Sequence, residues 1–339
     1  MVDAKNANER RKRRLDQMNK IGSVAGASRA LTGIWEAGRK RGHVVLRTAL
    51  IQVPGGQRTL TRLVLPKGVA LRFYLLSVFE AHCRLDPGEP WNNVRPLSGR
   101  GSWSDLVAID GAYDAKSGKY MRDTDAGRTL EDLRLRQVQG ALRTLEELGP
   151  EQGLVAMPRG SREQRLYQSF SLMKESGRGG HQTPDTYTVP ESTWSAETIT
   201  IPSGFFLNGW VQVLSPSEIA TWLILRGLSQ WAPNAHSESG VYLYGEARLQ
   251  QFGLRRDAWE DGCQRLRDFG LIRFADTWEQ FILLWGREKY QPHRYQVISE
   301  GFDADAMKKV TKELTIRQKG LNDATKRRAR KPEPGNAVQ

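Results

Sequence analysis

The spacing of apolar residues predicts four long helices along the chain. Apolar side chains recur every three or four positions over residues 69–84, 129–148, 215–230 and 256–269, and more briefly over 246–252. Each of the four longer stretches has the length of an ordinary globular helix with one buried face. We therefore expect helices to form much of the core.

Local signals mark the ends of these helices. Thr129 followed by Asp132 is an N-cap signal, and residues 215–218, Ser-Pro-Ser-Glu, place serine at the cap and proline at the first helical position. The glutamate of this second signal is spaced to accept a hydrogen bond from the cap amide. Gly270 provides a stop for the last helix.

Strand-like runs occur in pairs around turns, which predicts hairpins. The first of these turns carries the sequence Pro-Gly-Gly at residues 54–56. The three predicted hairpins pair residues 44–51 with 60–65, 154–157 with 166–172, and 271–274 with 281–285.

Polar segments divide these elements into an α+β protein of two domains with disordered basic arms at both ends. The predicted parts are a basic flexible arm at 1–42, a first domain at 43–173 with a long surface insertion at 85–127, a polar linker at 174–198, a second domain at 199–300, and a tail at 301–339 that is helical first and then basic and disordered.

The charge of the chain indicates a polyanionic partner. Lys and Arg number 51 against 38 Asp and Glu, which gives a formal net charge of +13. A field of this sign attracts nucleic acid. The sequence has no apolar run long enough to span a membrane, so no membrane partner is expected.

Cys83 and Cys263 are the only cysteines. Two distant thiols in apolar surroundings, with no secretory signal, predict a cytoplasmic protein.

Enzymatic sites are not predicted. The glycines between Gly111 and Lys119 have the wrong spacing for a phosphate-binding loop, and Tyr120 stands where such a loop has Ser or Thr. The five histidines are scattered, without metal-ligand spacing. Asp123 and Asp125 lie in a polar loop, where a solvated turn is the ordinary arrangement. We expect no catalytic residue, metal or cofactor.

The second half carries a helix, a turn, a helix and a hairpin in that order. Gly253 forms the turn between two apolar neighbours, and Gly270 allows the chain to reverse after the longer helix. Helical spacing places three side chains of the longer helix on one inward stripe: Trp259, Cys263 and Leu266. Over residues 214–285 this order resembles the winged-helix superfamily, and the resemblance implies that Arg255 and Arg256 hold a DNA phosphate. A small helical dimerisation domain is the alternative.

The first half repeats the order more loosely, with 129–148 as the recognition helix. Its inward stripe leaves five side chains facing outward: Arg134, Arg136, Gln137, Gln139 and Arg143. Arg and Gln make bidentate contacts with guanine and adenine edges in the major groove. The following turn adds three cations suited to backbone phosphates: Arg159, Arg162 and Arg165. A solvated helix face with a polar turn is the plainer interpretation.

Two consecutive winged helices with basic ends resemble plasmid and phage replication initiators and the repressors of mobile elements. The resemblance implies a sequence-specific double-stranded DNA-binding protein, acting as an initiator or alternatively as a repressor, with a homodimer and replication proteins as further partners. Glu260 and Asp261 lie on the outward face of the second recognition helix. We therefore expect the first unit to read DNA and the second to position or dimerise. A non-specific nucleic-acid or protein-interaction module is a further alternative.

Overall fold

Eleven α-helices, several short 3-10 turns and four antiparallel strand pairs make up the described part of the fold. The computed structural model describes residues 2–51, 59–64, 69–121, 127–181, 183–191, 197–231, 240–275 and 293–329. The helices are α1 (Val2–Lys20), α2 (Ser23–Ala37), α3 (Thr59–Val64), α4 (Ala70–Arg84), α5 (Leu130–Glu146), α6 (Gly204–Leu207), α7 (Trp210–Val213), α8 (Pro216–Trp231), α9 (Gly245–Ala247), α10 (Arg256–Asp268) and α11 (Ala306–Ala329). A π-helical turn, Arg248–Phe252, continues α9.

The strands are short and pair two by two. They are β1 (His43–Arg47) with β6 (Thr198–Pro202), β2 (Tyr113–Asp114) with β3 (Lys119–Tyr120), β4 (Val155–Ala156) with β5 (Ser171–Leu172), and β7 (Ile272–Phe274) with β8 (Tyr295–Val297). The protein is therefore of the α+β class, with small antiparallel sheets among helices.

The four long predicted helices are confirmed as α4, α5, α8 and α10, and both predicted N-caps form. Thr129 Oγ1 accepts a hydrogen bond from the Asp132 amide at 3.1 Å, and the Asp132 carboxylate accepts from the Thr129 amide at 3.0 Å. At the start of α8, the Glu218 carboxylate accepts from the Ser215 amide at 2.8 Å, and Ser215 Oγ accepts in return at 3.2 Å. These reciprocal bonds satisfy amides that the helix itself leaves unpaired.

The first predicted hairpin is wrong. β1 pairs with β6, so that Val45 lies opposite Thr200, and residues 59–64 form helix α3 rather than a returning strand. The reason is that three consecutive residues, 44–46, are buried, which requires cover on both faces of the strand. A distant strand provides the pairing. The Pro-Gly-Gly turn at 54–56 lies outside the described residues.

The N-terminal segment is not a flexible arm, because residues 2–37 form α1 and α2 on the surface of the core. Leu15, Met18 and Leu31 are buried in it. α1 packs along α11, where the Asn8 amide donates to the Leu314 carbonyl at 3.1 Å and to Gln318 Oε1 at 2.7 Å. The basic run at 9–14 is thus part of an amphipathic helix with its apolar side covered.

The predicted insertion and linker are also packed where the structure describes them. Trp91 and Trp103 of the insertion are buried, and the Trp103 ring lies 5.9 Å from that of Phe170. In the linker, the side chain of Glu175 is 0% exposed and binds Arg47 at 2.9 Å. Apolar and paired residues within these polar stretches therefore hold them against the helices.

Both halves share one hydrophobic core, so segment 174–198 does not separate two domains in the described structure. The Phe79 and Phe206 rings stack at 4.6 Å, which joins α4 to α6. Gln212 of α7 donates to the Leu106 carbonyl at 2.8 Å and accepts from the Ala108 amide at 3.0 Å.

The C-terminal tail begins with the predicted helix, since α11 buries Ala306, Val310 and Leu314. The helix continues to Ala329, so the disorder predicted for the basic run is wrong as far as that residue. Residues 330–339 lie outside the described part.

Candidate nucleic-acid interface

Helix α5 presents a partly basic outward face above a buried apolar stripe. The stripe is formed by Val138, Ala141, Leu142 and Leu145, which pack toward α4. Arg136, Gln137 and Arg143 are exposed. Within the described part of the chain these three side chains make no hydrogen bond or ion pair. They are therefore available for contacts with a partner.

Two of the five predicted reading residues are less open than expected. Arg134 and Gln139 are half-buried, and Arg134 Nε is enclosed without a hydrogen-bond partner among the described residues. Both lie at the borders of the apolar stripe, between the exposed side of the helix and the side that packs against the core. The prediction that all five face solvent is correct for three of them.

The start of α5 holds its own acidic residues in local bonds. Asp132 closes the N-cap, and hydrogen bonds from the Thr129 backbone and side chain lower the pKa of its carboxyl group. Glu131 accepts a hydrogen bond from the Gly99 amide at 2.8 Å. These acids therefore cap the helix and anchor it to the segment that precedes it.

The hairpin after α5 is folded back onto the end of that helix. β4 and β5 pair, and an isolated bridge joins Arg159 to Arg165 near the tip. Arg165 donates to Glu146 at 2.7 Å and to Glu147 at 2.6 Å, while Arg159 donates to Glu146 at 3.0 Å. The hydrogen bond from Arg165 to Glu146 raises the pKa of Arg165.

Of the three cations predicted to suit backbone phosphates, Arg159 and Arg165 are thus already engaged in ion pairs within the protein. Two glutamates at the end of α5 neutralise them, and this acidic pair in the sequence was the signal that could have revealed it. Arg162 remains exposed, and its side chain has no partner in the described chain. The hairpin thus offers one unpaired arginine.

In the second half, α8 is followed by Val241, which forms an isolated β-bridge with Tyr295, and then by α9, α10 and the β7–β8 pair. Gly253 has φ +63°, the left-handed conformation that reverses the chain between the π-helical turn and α10. The Val241 amide donates to the Tyr295 carbonyl at 2.7 Å and the Tyr295 amide donates back at 2.8 Å. β8 therefore has Val241 on one side and β7 on the other. The predicted strand 281–285 lies outside the described residues.

The outward face of α10 is mainly acidic. Asp257, Glu260 and Asp261 are exposed there. Arg256 donates to Glu260 at 2.7 Å, so this predicted phosphate contact is already paired, whereas Arg255 is exposed. Such a face is a poorer surface for a polyanion than that of α5.

The two cysteines are buried, and burial raises the pKa of each thiol to about 12, which disfavours a nucleophilic thiolate.

In the part of the chain that the structure describes, no group of three or more His, Cys, Asp or Glu residues is arranged to hold a metal ion. Among the same residues, no helix has both the length and the apolar character needed to cross a membrane. Asp123 and Asp125, which the sequence places in a polar loop, lie outside the described residues.

Comparison of the chain with protein-family models, with curated proteins and with solved structures finds no match.

Proposed function

We propose that this chain is a sequence-specific double-stranded DNA-binding protein built from two winged helices that share one core. The observation that carries the proposal is the order and pairing of elements in the second half. A winged helix runs helix, strand, helix, helix, and then two strands that form the wing. α8, Val241, α9, α10, β7 and β8 follow this order, and β8 lies between the other two strand segments.

The first half supports the same interpretation. α4 is followed by a short 3-10 helix, Trp103–Leu106, by the small β2–β3 pair, and then by α5, β4 and β5. The 3-10 helix takes the place of the second helix, and α5 that of the recognition helix. The bridge between Arg159 and Arg165 extends the β4–β5 pair toward its tip, as a wing requires.

Within this arrangement we assign DNA reading to α5. Arg136 and Gln137 are exposed in the first half of the helix, and Arg143 lies on the exposed surface nearer its end. These side chains are suited to bidentate contacts with base edges. Arg162 on the hairpin and Arg255 before α10 are suited to phosphates, which carry no base identity.

The biological role we propose is replication initiation at a defined origin, with transcriptional repression as the alternative. A +13 chain with two winged helices suits either role, since both need a fixed DNA site held by a basic protein. A non-specific nucleic-acid module would show the same charge but no preferred sequence.

The test is a selection of bound duplexes from a random pool, using the full chain. We expect one recurring sequence, bound at least about 10³-fold more tightly than scrambled duplex at physiological salt. Salt-sensitive binding without a recurring sequence would reject sequence-specific reading, and absence of binding to any duplex would reject the whole proposal.

A second experiment separates the two roles. The selected site and the gene for this chain are placed on a plasmid whose own origin is inactive in the host, and beside a reporter promoter. Maintenance of the plasmid supports initiation. Repression of the reporter without plasmid maintenance rejects initiation in favour of the repressor role.

A further inference from the structure

A cleft of about 980 Å³ lies between α2, the end of α4 and the segment around residues 95–106. One side is a face of α2 formed by small and aliphatic residues: Ala30, Gly33, Ile34 and Ala37. Their spacing places them on one side of the helix. Leu106 adds an apolar group to the lining. The cleft therefore has an apolar floor outside the proposed reading surface of α5.

Cations dominate the remainder of the lining. Five arginines contribute to it, against two acidic residues, Glu80 and Asp105. The arginines are Arg29, Arg39, Arg84, Arg95 and Arg100. The formal charge of the lining is thus positive.

The acidic residues are engaged within the protein. Glu80 accepts from Arg84 Nε at 2.9 Å and from Trp91 Nε1 at 2.8 Å. Asp105 accepts from the Gly101 amide at 2.7 Å. Of the remaining arginines, Arg39 is paired with Asp86, which lies outside the cleft lining.

Three arginines are left without a carboxylate partner. Arg29 and Arg100 are exposed and make no side-chain hydrogen bond or ion pair with the described residues. Arg95 donates through Nη1 to the Gly101 carbonyl, whereas its Nε is enclosed and has no partner within the described chain. Burial lowers the pKa of Arg95 and the nearby charge of Arg84 acts in the same direction, against the opposing effect of Glu80 and Asp105. An anion bound in the cleft would offset both effects.

We propose that this cleft binds an acidic peptide segment that carries at least one aliphatic side chain and belongs to a protein partner. The unpaired guanidinium groups match carboxylates, with which arginine forms bidentate, charge-assisted bonds. The α2 face receives the aliphatic group. From Arg29 to Ala37, the last residue of α2, the helix advances roughly 12 Å, a span that about four extended peptide residues cover.

The lining favours a peptide over nucleic acid. Single-stranded nucleic acid and nucleotides are ordinarily held by base stacking on aromatic rings as well as by cations. The described residues that line this cleft include no aromatic side chain. The apolar floor consists of small and aliphatic groups, which suit leucine, isoleucine or valine.

The test uses an array of decapeptides that combine two to four Asp or Glu with one to three Leu, Ile or Val. In one matched set Asn and Gln replace the acids, and in a second set Ser replaces the aliphatic residues. The strongest binder is then titrated by fluorescence anisotropy against the full chain. We expect binding to require both features, with at least a tenfold loss in either matched set.

Two variants locate the site. Gly33→Leu places a side chain in the cleft, at a position where a Cβ meets no atom within 4 Å. Arg100→Glu reverses one unpaired charge. Each is expected to weaken peptide binding at least tenfold. The controls are Gly26→Leu, a similarly open position in α2 outside the cleft, and Arg62→Glu on α3, with changes below twofold.

Thermal melts of all four variants verify folding, and duplex binding by Gly33→Leu is expected to equal that of the unaltered chain. This separates the peptide site from the proposed DNA-reading function, because peptide binding and duplex binding are measured independently and one is able to be lost without the other. The proposal is overturned if the peptides with Asn and Gln bind as tightly as the acidic ones, or if Gly33→Leu leaves peptide binding unchanged. Competition by ATP or a single-stranded oligonucleotide that depends on Arg100 would assign the cleft to nucleic acid instead.

Discussion

The arginines of α5 and its hairpin serve two different purposes. Arg159 and Arg165 hold the hairpin to Glu146 and Glu147 at the end of the helix. Arg136 is exposed on the helix itself and has no such partner in the described chain. Paired arginines fix the geometry of the surface, whereas unpaired ones are able to contact DNA without first losing an internal bond.

Replacing Arg136 by Ala is expected to cost about 1–3 kcal/mol of binding free energy on the selected duplex and to relax selection at one base position. The reason is that a bidentate contact with a base edge distinguishes that base from the other three. Titration of the variant against the selected duplex and single-base variants of it measures both effects. Unchanged affinity and selectivity would remove Arg136 from the reading surface.

The matched control for this prediction is Arg162→Ala on the hairpin. A phosphate contact is lost there, so selected and scrambled duplexes are expected to weaken by the same factor. The salt dependence of binding should also become shallower by about one unit of the logarithmic slope. A change in the preferred sequence would show that Arg162 reads a base.

His82 is a buried neutral histidine in α4. Its Nε2 lies 2.9 Å from the Val45 carbonyl oxygen, and Nδ1 has no hydrogen-bond partner among the described residues. Burial lowers the pKa of His82 to about 3, although the hydrogen bond to Val45 acts in the opposite direction. Folding thus requires the uncharged ring over the whole neutral range.

This pKa predicts acid sensitivity with a definite sign. Between the ordinary histidine value of about 6.5 and the folded value, the unfolded chain binds a proton that the folded chain does not. The stabilising contribution is therefore complete above pH 6.5 and is lost as the pH falls toward 3. His82→Gln is expected to remove about 1.4 kcal/mol per pH unit from the slope of unfolding free energy in this window.

Urea unfolding of both proteins between pH 7 and pH 4.5 measures the difference in slope. Leu15→Ala, a buried substitution that changes no ionisable group, supplies the control and is expected to lower stability while keeping the slope of the unaltered chain. Equal slopes for His82→Gln and the unaltered protein would contradict a neutral buried ring.

At the scale of single elements, local signals were sufficient to predict helix ends. Thr129 with Asp132 and residues 215–218 each form the cap that their sequence indicates, because both partners lie within four positions. Gly253 adopts the left-handed turn for the same local reason. The outward position of Arg136 also followed from helical spacing alone.

Features that join distant positions were not predictable in this way. β1 pairs with β6 across most of the first half, and no turn signal marks that pairing. The ion pairs of Arg165 with Glu146 and Glu147 depend on how the hairpin folds back, which helical spacing does not specify. Helical spacing therefore identified the cations of the candidate site but not the tertiary contacts that pair two of them with glutamates.

The contact between α8 and α10 depends on a helical glycine. A Cβ at Gly262 would overlap Thr221 Oγ1 and lie 3.0 Å from Thr221 Cβ. Gly262→Ala is therefore expected to destabilise the protein by about 1–3 kcal/mol, even though alanine favours a helix. Urea unfolding measures this cost. Adding Thr221→Ala removes the hydroxyl and should recover part of it.

Gly140 in α5 is the matched control, because a Cβ there meets nothing within 4 Å. Gly140→Ala is expected to stabilise the protein by about 0.5–1 kcal/mol through helix propensity alone. Equal effects at both glycines would show that the two helices do not approach closely at Gly262.

At the scale of the whole molecule, α1 connects parts of the chain that are far apart in sequence. Arg11 forms a bidentate ion pair with Glu218, whose side chain is 3% exposed, and its guanidinium lies 5.3 Å from the centre of the Phe269 ring. Asn8 also binds α11. The basic N-terminal segment is thus part of the folded body and supplies charge to its surface at the same time.

These two contributions of α1 are separable by substitution. Leu15 is buried against the core, so Leu15→Ala is expected to cost about 2–4 kcal/mol of stability in urea unfolding. Replacing the exposed Arg10 and Arg13 together by Gln should change stability by less than about 1 kcal/mol. If both cations contact phosphates, the same pair should lower the logarithmic salt slope of duplex binding by about 1.8 without altering the preferred sequence. If residues 1–42 instead formed a flexible basic arm, Leu15→Ala would cause no loss of stability. That result would contradict the packing of α1 against the core.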